Sequence, residues 1–268
     1  MVDSHVHLLP GRLGEKVRAY FDLGWKGRLA YPVDHDLICE QLAAEGIDEV
    51  WTLPYTHKPG IATGLNEASA ATASGVTAVK VIAGATVHPG DDSPERIVRH
   101  SVEVGGARVL KLHCSVGGHR ADDPRLDAVW RFVEAVRLPV VVHVGHAGSG
   151  RTEADELAPV ETMALRHPQA PIVIAHCAHP NSTAALDALG RHGSLHADLT
   201  PVVADPVPID IARMEALHDR LLFGSDAPNT VIPAGTGLAA VHSAGLSAGA
   251  VAAITGGNAR RLIAAVRA

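Results

Sequence analysis

Short runs of apolar, β-branched residues alternate along the chain with longer segments that are rich in alanine and leucine and repeat with helical period. This alternation is typical of βα units around a parallel sheet. We predict eight strands, at residues 2–7, 49–55, 79–88, 108–113, 139–143, 171–176, 194–199 and 221–226. Eight such units in 268 residues predict an α/β fold of the (β/α)8 or TIM-barrel type, with residues 1–268 forming a single domain.

Capping residues mark the predicted helix boundaries. Residues 34–45 form a predicted helix that ends before Gly46, and Ser93 and Asp123 each precede a proline at the first position of a helix. Asn258 follows two glycines and precedes a helical run, so we predict that its side chain caps the last helix.

A segment at residues 8–31 is inserted after the first predicted strand. In a barrel this point lies at the carboxyl-terminal rim, where barrel enzymes place their active sites. The segment is locally basic and holds four of the nine aromatic residues, Tyr20, Phe21, Trp25 and Tyr31. It is either a lid over the pocket or a segment for packing or subunit contact, and the second interpretation leaves room for a homo-oligomer.

The composition argues against several classes of function. The formal net charge of −6 disfavours a general binder of nucleic acid or of anionic membranes, because either needs a basic face. The chain has no run of about 18 apolar residues that would cross a membrane, and its N-terminus shows no secretory signal. Three cysteines are too few for a disulfide framework and indicate reduced thiols, so we expect a cytoplasmic protein.

Histidine is the distinctive component of the sequence, with 17 residues, and many of them end apolar runs. The polar residues at the ends of predicted strands are His5 and His7, Lys111 and His113, His143, His176 and Asp226. Because the carboxyl ends of barrel strands meet at one rim, we expect these side chains to converge. Imidazole nitrogens and a carboxylate suit a borderline divalent metal such as zinc, with positions left open for water and substrate.

The motifs DSHVH, KLHC, VVVHVG, VIAHC, LFGSDAPN and GGNARRLI follow one another along nearly the whole chain. In this order they resemble the amidohydrolase superfamily, in particular its amidohydrolase-related branch, which includes aminocarboxymuconate-semialdehyde decarboxylase. The resemblance implies a distorted TIM barrel with one or two divalent metals at its rim. A single metal would have as its ligands His5, His7, His143 and Asp226. His176 would then act on substrate or water, or join a second metal.

Lys111 lies in an otherwise apolar strand, and burying an ammonium without a partner is costly. Its position resembles that of a lysine which, in binuclear members such as dihydroorotase, reacts with carbon dioxide and bridges two metals as a carbamate. Alternatively, Lys111 keeps its charge and binds a substrate carboxylate, or forms a structural ion pair with a nearby acid. The first alternative implies two metal ions and the second is compatible with one.

The chemistry expected of these parts is hydrolytic. Water activated by the metal would attack an amide, lactone or ester of a small molecule. Asp226 would accept a proton from that water, and His176 would orient or protonate the developing oxyanion. Non-oxidative decarboxylation on the same ligands is the alternative, and a barrel that binds metal without catalysis is a third hypothesis. Lys111 and the basic insertion would suit an anionic substrate in either reaction.

Further polar residues lie at or just beyond the ends of the predicted strands and are candidates for lining the substrate pocket. They are His113, Tyr55, His57, His88 and His146.

Overall fold

The structure is a computed structural model that describes residues 1–75, 77–145, 153–200 and 209–267. Its strands are β1 (Val2–Val6), β2 (Glu49–Thr52), β3 (Lys80–Ile82), β4 (Gly84–Thr86), β5 (Val109–Leu112), β6 (Val140–Val142), β7 (Ile172–Ile174), β8 (Leu195–Asp198) and β9 (Leu221–Leu222). Its helices are α1 (Gly11–Trp25), α2 (His35–Ala44), α3 (Ala62–Ser74), α4 (Pro94–Glu103), α5 (Cys114–Gly117), α6 (Asp127–Val136), α7 (Glu153–Arg166), α8 (Ser182–Arg191), α9 (Ile211–Ala216), α10 (Ala234–Ser243), α11 (Ala248–Ala252) and α12 (Asn258–Ala264).

The strands pair in parallel and in chain order, with β1-β2-β3 in one sheet and β4-β5-β6-β7-β8-β9 in the other. The last strand returns to the first, since Ser4 N donates to Phe223 O over 2.9 Å and Val6 forms a parallel bridge with Ala227. The predicted (β/α)8 barrel is therefore confirmed.

The third predicted strand, at residues 79–88, is present as the two short strands β3 and β4. The interruption coincides with a close approach to β2. A β-carbon at Gly84 would lie 2.1 Å from the carbonyl oxygen of Thr52 and 3.1 Å from Pro54 Cδ. Only glycine fits at this crossing, and here the chain passes from β3 in the first sheet to β4 in the second.

Alternation along β5 divides its side chains between two apolar cores. Val109 belongs to a cluster inside the barrel, which also contains Trp51 and Leu262 of α12. Leu110 and Leu112 belong to the larger core between the barrel and its helices. Lys111 is fully buried and shares the inner face with Val109, as the period of two predicts.

The inserted segment contains helix α1 and contacts the protein core mainly at its C-terminal end. Helix α1 has no buried residue, and Leu23 is 83% exposed. The chain then returns to the core at Tyr31, whose hydroxyl donates to Glu45 Oε2 and accepts from Ala234 N, both over 2.7 Å. A lid and a subunit contact both remain predictions for residues 8–31.

The three cysteines are free and buried. Among the described helices, none combines the length and the apolar character needed to cross a bilayer.

The predicted role of Asn258 is wrong. The residue at the N-cap position of α12 is Gly257, and Asn258 already lies in the helix. Its amide group is fully buried and donates to His218 O over 2.6 Å and to Leu221 O over 2.7 Å. Asn258 therefore ties the last helix to the start of β9 instead of capping its own helix.

Replacing Asn258 with alanine removes the donor for two backbone carbonyls. We expect Asn258→Ala to lower the free energy of unfolding by about 1–3 kcal/mol, the cost of leaving a buried acceptor without a partner. Urea denaturation measures this change. As a control, His242→Ala alters an exposed side chain and is expected to stay within about 0.5 kcal/mol of the wild type. Equal stabilities for the two variants would contradict the assignment.

Candidate metal centre

Five of the predicted side chains meet at the carboxyl-terminal rim of the barrel. They are His5 in β1, His7 just after it, His143 after β6, His176 after β7 and Asp226 after β9. His7 Nε2 lies 3.1 Å from Asp226 Oδ1, and His5 Nε2 lies 3.8 Å from the same oxygen. His176 Nε2 lies 3.2 Å from His143 Nδ1. The ring centroids of His5 and His176 are 4.8 Å apart, so these contacts form one cluster.

In the two histidines of the first strand, one ring nitrogen is held by a group that only accepts hydrogen bonds. His7 Nδ1 is 2.7 Å from the carbonyl oxygen of Leu53. His5 Nδ1 is 2.9 Å from Asp198 Oδ2. In both rings Nδ1 therefore carries the hydrogen, and the lone pair of the neutral ring lies on Nε2.

The other two histidines are held in the same way. His143 Nε2 is 2.5 Å from Gly145 O, and His176 Nδ1 is 3.0 Å from Thr200 O. These carbonyls fix the hydrogens, which leaves the lone pairs of the neutral rings on His143 Nδ1 and His176 Nε2. Those are the two nitrogens that face each other.

Two lone pairs, or a lone pair and a carboxylate oxygen, need a positive charge between them at such distances. A proton is disfavoured for most of these rings. Burial, together with the neighbouring cationic groups, lowers the pKa of His143 and of His176, and burial with the Lys111 ammonium lowers the pKa of His5 to about 3. Neutral imidazoles with converging lone pairs, beside a carboxylate, are a donor set that fits a divalent metal ion.

Asp226 reaches the cluster through a tight turn after β9. Its φ is 65°, and its amide donates to His5 O over 2.9 Å. A β-carbon at Gly224 would lie 2.8 Å from His5 Cβ, so glycine lets this turn approach β1. Burial acts to raise the pKa of Asp226, but the contact with the His7 imidazole, followed by those with His5 and His176, outweighs it and holds that pKa below its usual range. Asp226 is therefore ionised.

Lys111 points into the same cluster. Its Nζ lies 3.3 Å from His5 Nε2, and the side chain is fully buried. No carboxylate oxygen of the described residues lies within 4.0 Å of Nζ, so the structural ion pair has no partner there. Burial lowers the pKa of Lys111 to about 8, partly countered by Asp198 and Asp226. The amine is thus mainly an ammonium at neutral pH.

Two of the predicted pocket residues border the cluster. The ring of His113 stacks on His143 with centroids 3.9 Å apart. The ring of Tyr55 lies 5.2 Å from that of His7 and 5.0 Å from that of His113. Together they form a wall of aromatic and imidazole rings beside the candidate ligands.

The structure does not bring His88 or His57 into the cluster. His88 Nδ1 accepts from Gly90 N and Nε2 contacts Gly117 O, both over 2.9 Å, so both of its nitrogens are engaged by loop backbone. His57 is exposed and has no ring or ion-pair contact with the cluster. His146 lies outside the described residues.

The sequence prediction missed Asp198. This residue ends β8 and is fully buried against His5 and His176. Burial acts to raise its pKa, but the His5 imidazole overcomes this effect and lowers the pKa to about 2. Its place at the end of a predicted strand was a usable signal, the same one that marked Asp226.

A shallow cleft, partly open to solvent, lies beside the cluster and includes His7 in its lining. Val17 and Arg18 of α1 line it, as do His35 at the start of α2 and Asn229 after β9. The Arg18 guanidinium is held by Asp22, with Nε and Oδ2 3.1 Å apart, and by the carbonyl of Tyr31. The insertion therefore contributes an ion-paired arginine to the cleft that His7 also lines.

A barrel with histidine and aspartate side chains converging at its carboxyl-terminal rim is the architecture of metal-dependent enzymes of the amidohydrolase superfamily. Over residues 2–264 the chain matches the amidohydrolase family Amidohydro_2 and belongs to it. No curated protein sequence matches the chain.

Solved structures with the same fold share little sequence with this chain. An uncharacterized TIM-barrel protein from Bordetella bronchiseptica is 18% identical, with 99% of each chain covered and a TM-score of 0.76. The 5-carboxyvanillate decarboxylase of Sphingomonas paucimobilis is 14% identical, with 98% of each chain covered and a TM-score of 0.70. A dihydroxybenzoic acid decarboxylase from a Polaromonas species, with bound manganese and the inhibitor 2-nitroresorcinol, is 13% identical, with 98% of this chain and 96% of that chain covered and a TM-score of 0.71.

The lowered pKa of His5 predicts acid sensitivity of the metal-free protein. The unfolded chain binds a proton at His5 below about pH 6.5, whereas the folded chain does so only near pH 3. Stability therefore falls as pH drops through this window, by about 2 kcal/mol between pH 7 and pH 5 from this group alone. Urea denaturation in the presence of a chelator measures the loss, and His5→Gln should show a shallower dependence. Equal stability at the two pH values would contradict the assignment.

Proposed function

We propose that the protein is a divalent-metal enzyme that removes a carboxylate group from a small anionic substrate as carbon dioxide, without oxidation. The observation that carries this proposal is the Lys111 ammonium, which is buried beside the candidate ligand nitrogens and has no carboxylate partner among the described residues. A substrate carboxylate would supply the missing negative charge. The similarity of the fold to two decarboxylases supports the same reaction class.

The residues that would hold the metal are three of the four histidines with converging lone pairs, His5, His7 and His143, together with the Asp226 carboxylate, which leaves His176 for the substrate. The ion supplies a Lewis acid that polarises a carboxylate or carbonyl oxygen of the substrate. Imidazole and carboxylate donors suit both zinc and manganese. Manganese is the ion in the Polaromonas structure, and we propose one such ion per chain here.

The chain's own residues then bind the substrate and move a proton. Lys111 binds the carboxylate that leaves. The bond between that carboxylate and its carbon breaks, carbon dioxide departs, and the electron pair remaining on the carbon takes up a proton. His176 would deliver this proton from Nε2, after taking it from solvent, and the contact between its Nδ1 and Thr200 O supports this role.

The substrate would enter through the cleft under α1. Leu9, Val17 and Val33 give this cleft apolar walls, and Arg18 adds a cation. A small planar acid with a second anionic or phenolic group fits this chemistry better than a neutral ester. The three buried free cysteines agree with a reducing compartment, so we keep the cytoplasm as the proposed location.

Hydrolysis is the second candidate, favoured by the state of Asp226. An ionised carboxylate 3.1 Å from His7 Nε2 can accept the proton of an attacking water and return it to the leaving group. The same ligands would then cleave a lactone, amide or ester. The two reactions leave different products, carbon dioxide in one case and an acid carrying an oxygen from water in the other.

A labelled-substrate assay separates the two reactions. We expect the manganese- or zinc-loaded protein to release ¹³CO₂ from carboxyl-labelled dihydroxybenzoates or 5-carboxyvanillate. Asp226→Asn should lower the rate by about 10²–10⁴-fold, since it removes the charge of a proposed metal ligand. His242→Gln, on an exposed helix position, serves as the control. Incorporation of ¹⁸O from water into a lactone- or amide-derived acid, with no ¹³CO₂ from any carboxylate, would instead establish the hydrolase.

The metal count tests the role of Lys111. We expect one ion per chain in the wild type, and Lys111→Met should keep that ion while lowering kcat/KM by about 10–100-fold, the effect of losing a charged hydrogen bond to substrate. Elemental analysis of the purified proteins gives the count. Lys80→Met, which removes an exposed ammonium, is the matched control. Two ions in the wild type and fewer in Lys111→Met would show instead that Lys111 bridges metals as a carbamate.

A further inference from the structure

We infer that Asp198 is the positioning residue of this site, fixing which nitrogen of His5 faces the metal and anchoring the turn that carries His176. The inference rests on the proposed metal function, and it concerns a residue outside the proposed ligand set. Its support is the hydrogen bonding of a single fully buried carboxylate.

Asp198 accepts three hydrogen bonds from two distant parts of the barrel. Its Oδ2 lies 2.9 Å from His5 Nδ1. Its Oδ1 accepts from the backbone amides of His176, over 2.9 Å, and of Thr200, over 3.3 Å. The carboxylate thus joins β1 to the turn after β7, two elements that are not neighbours in the sheet.

The turn after β7 has an uncommon backbone. His176, Cys177 and Ala178 have φ values of 58°, 46° and 53°, three consecutive residues other than glycine in the left-handed region. The bond from His176 N to Asp198 holds the first residue of this turn. Through that bond the carboxylate determines where the His176 ring stands, 3.2 Å from His143 Nδ1.

Asp198 contacts the candidate ligands, but we do not assign it as a metal ligand. His5, His176 and Asp198 lie close enough to form a candidate metal group by themselves. However, Asp198 Oδ2 is bonded to Nδ1 of His5, whereas the nitrogen of that ring nearest Lys111 and Asp226 is Nε2. A carboxylate on the far nitrogen of a liganding imidazole fixes its tautomer and orientation, and removing such a partner typically costs 10–100-fold in metal affinity or activity.

Asp198→Asn tests the inference with little change of shape. The backbone amides of His176 and Thr200 can only donate, so they retain the oxygen of the new amide group. Its NH₂ group then faces His5 Nδ1, which must become an acceptor, and the hydrogen moves to Nε2. We expect the His5 tautomer to invert and the affinity for Zn²⁺ or Mn²⁺ to fall by about 10–100-fold.

Long-range ¹H–¹⁵N NMR of the metal-free protein, with His5 assigned from the spectrum of His5→Gln, reports the tautomer. Competition with a chelating dye reports affinity. The tautomers of His7 and His143 serve as internal controls, since their backbone acceptors, Leu53 O and Gly145 O, are unchanged. Asp219→Asn removes a charge from an exposed side chain and should alter neither readout.

The outcomes are distinct. A wild type with the hydrogen on His5 Nε2 overturns the inference without needing any variant to fold. An Asp198→Asn protein that keeps wild-type tautomer or wild-type affinity overturns it as well, while the proposed function stands. A wild type that binds neither metal removes the proposed function, and the tautomer of His5 still tests whether Asp198 orients that ring.

Discussion

The site depends on the direction in which four imidazole rings are held. A neutral imidazole has one donor and one acceptor, and a strong acceptor on one nitrogen sets the lone pair on the other. Here the acceptors are a carboxylate for His5 and backbone carbonyls for His7, His143 and His176. Each acceptor belongs to a strand end or the turn after it. The arrangement of lone pairs is therefore set by the rim of the barrel before any ligand binds.

This arrangement requires the last and first strands, β9 and β1, to pack closely where the barrel closes. β9 and β1 meet where Gly224 passes His5 and where the Asp226 amide bonds to the carbonyl of His5. A side chain at position 224 would push against Thr200 Oγ1 as well, at 2.2 Å from the added carbon. Close packing between these two strands thus brings the Asp226 carboxylate, a candidate metal ligand, to the two histidines of the first strand. The apolar cluster inside the barrel, which contains Trp51, stabilises this closure.

Much of the fold and of the candidate site could be predicted from the sequence, because both follow from the periodicity of apolar and polar residues along each strand. Alternation along a strand placed Lys111 on the inner face, and the polar ends of strands identified the side chains that converge. The role of Asp198 could not be predicted, because its hydrogen-bond partners lie 193 and 22 residues away in the sequence and only the fold brings them together. His88 shows the opposite error, a residue that was predicted to line the pocket and does not. It ends a predicted strand, yet its loop folds back and engages both ring nitrogens. Side-chain hydrogen bonding of this kind is not encoded in periodicity.

Under the proposed function, the charge of the cluster favours an anionic substrate, whether the site holds one metal ion or two. With the imidazoles counted as neutral metal ligands, Asp198 and Asp226 as carboxylates and Lys111 as an ammonium, the side chains contribute about one net negative charge. One divalent ion leaves the site with about one positive charge. A lysine carbamate with two divalent ions gives the same total, because the modification exchanges a cation for an anion while a second ion adds two charges. A neutral substrate would leave that charge uncompensated in a buried site, whereas a carboxylate neutralises it. The proposed preference for an acid thus follows from the proposed ligand set itself.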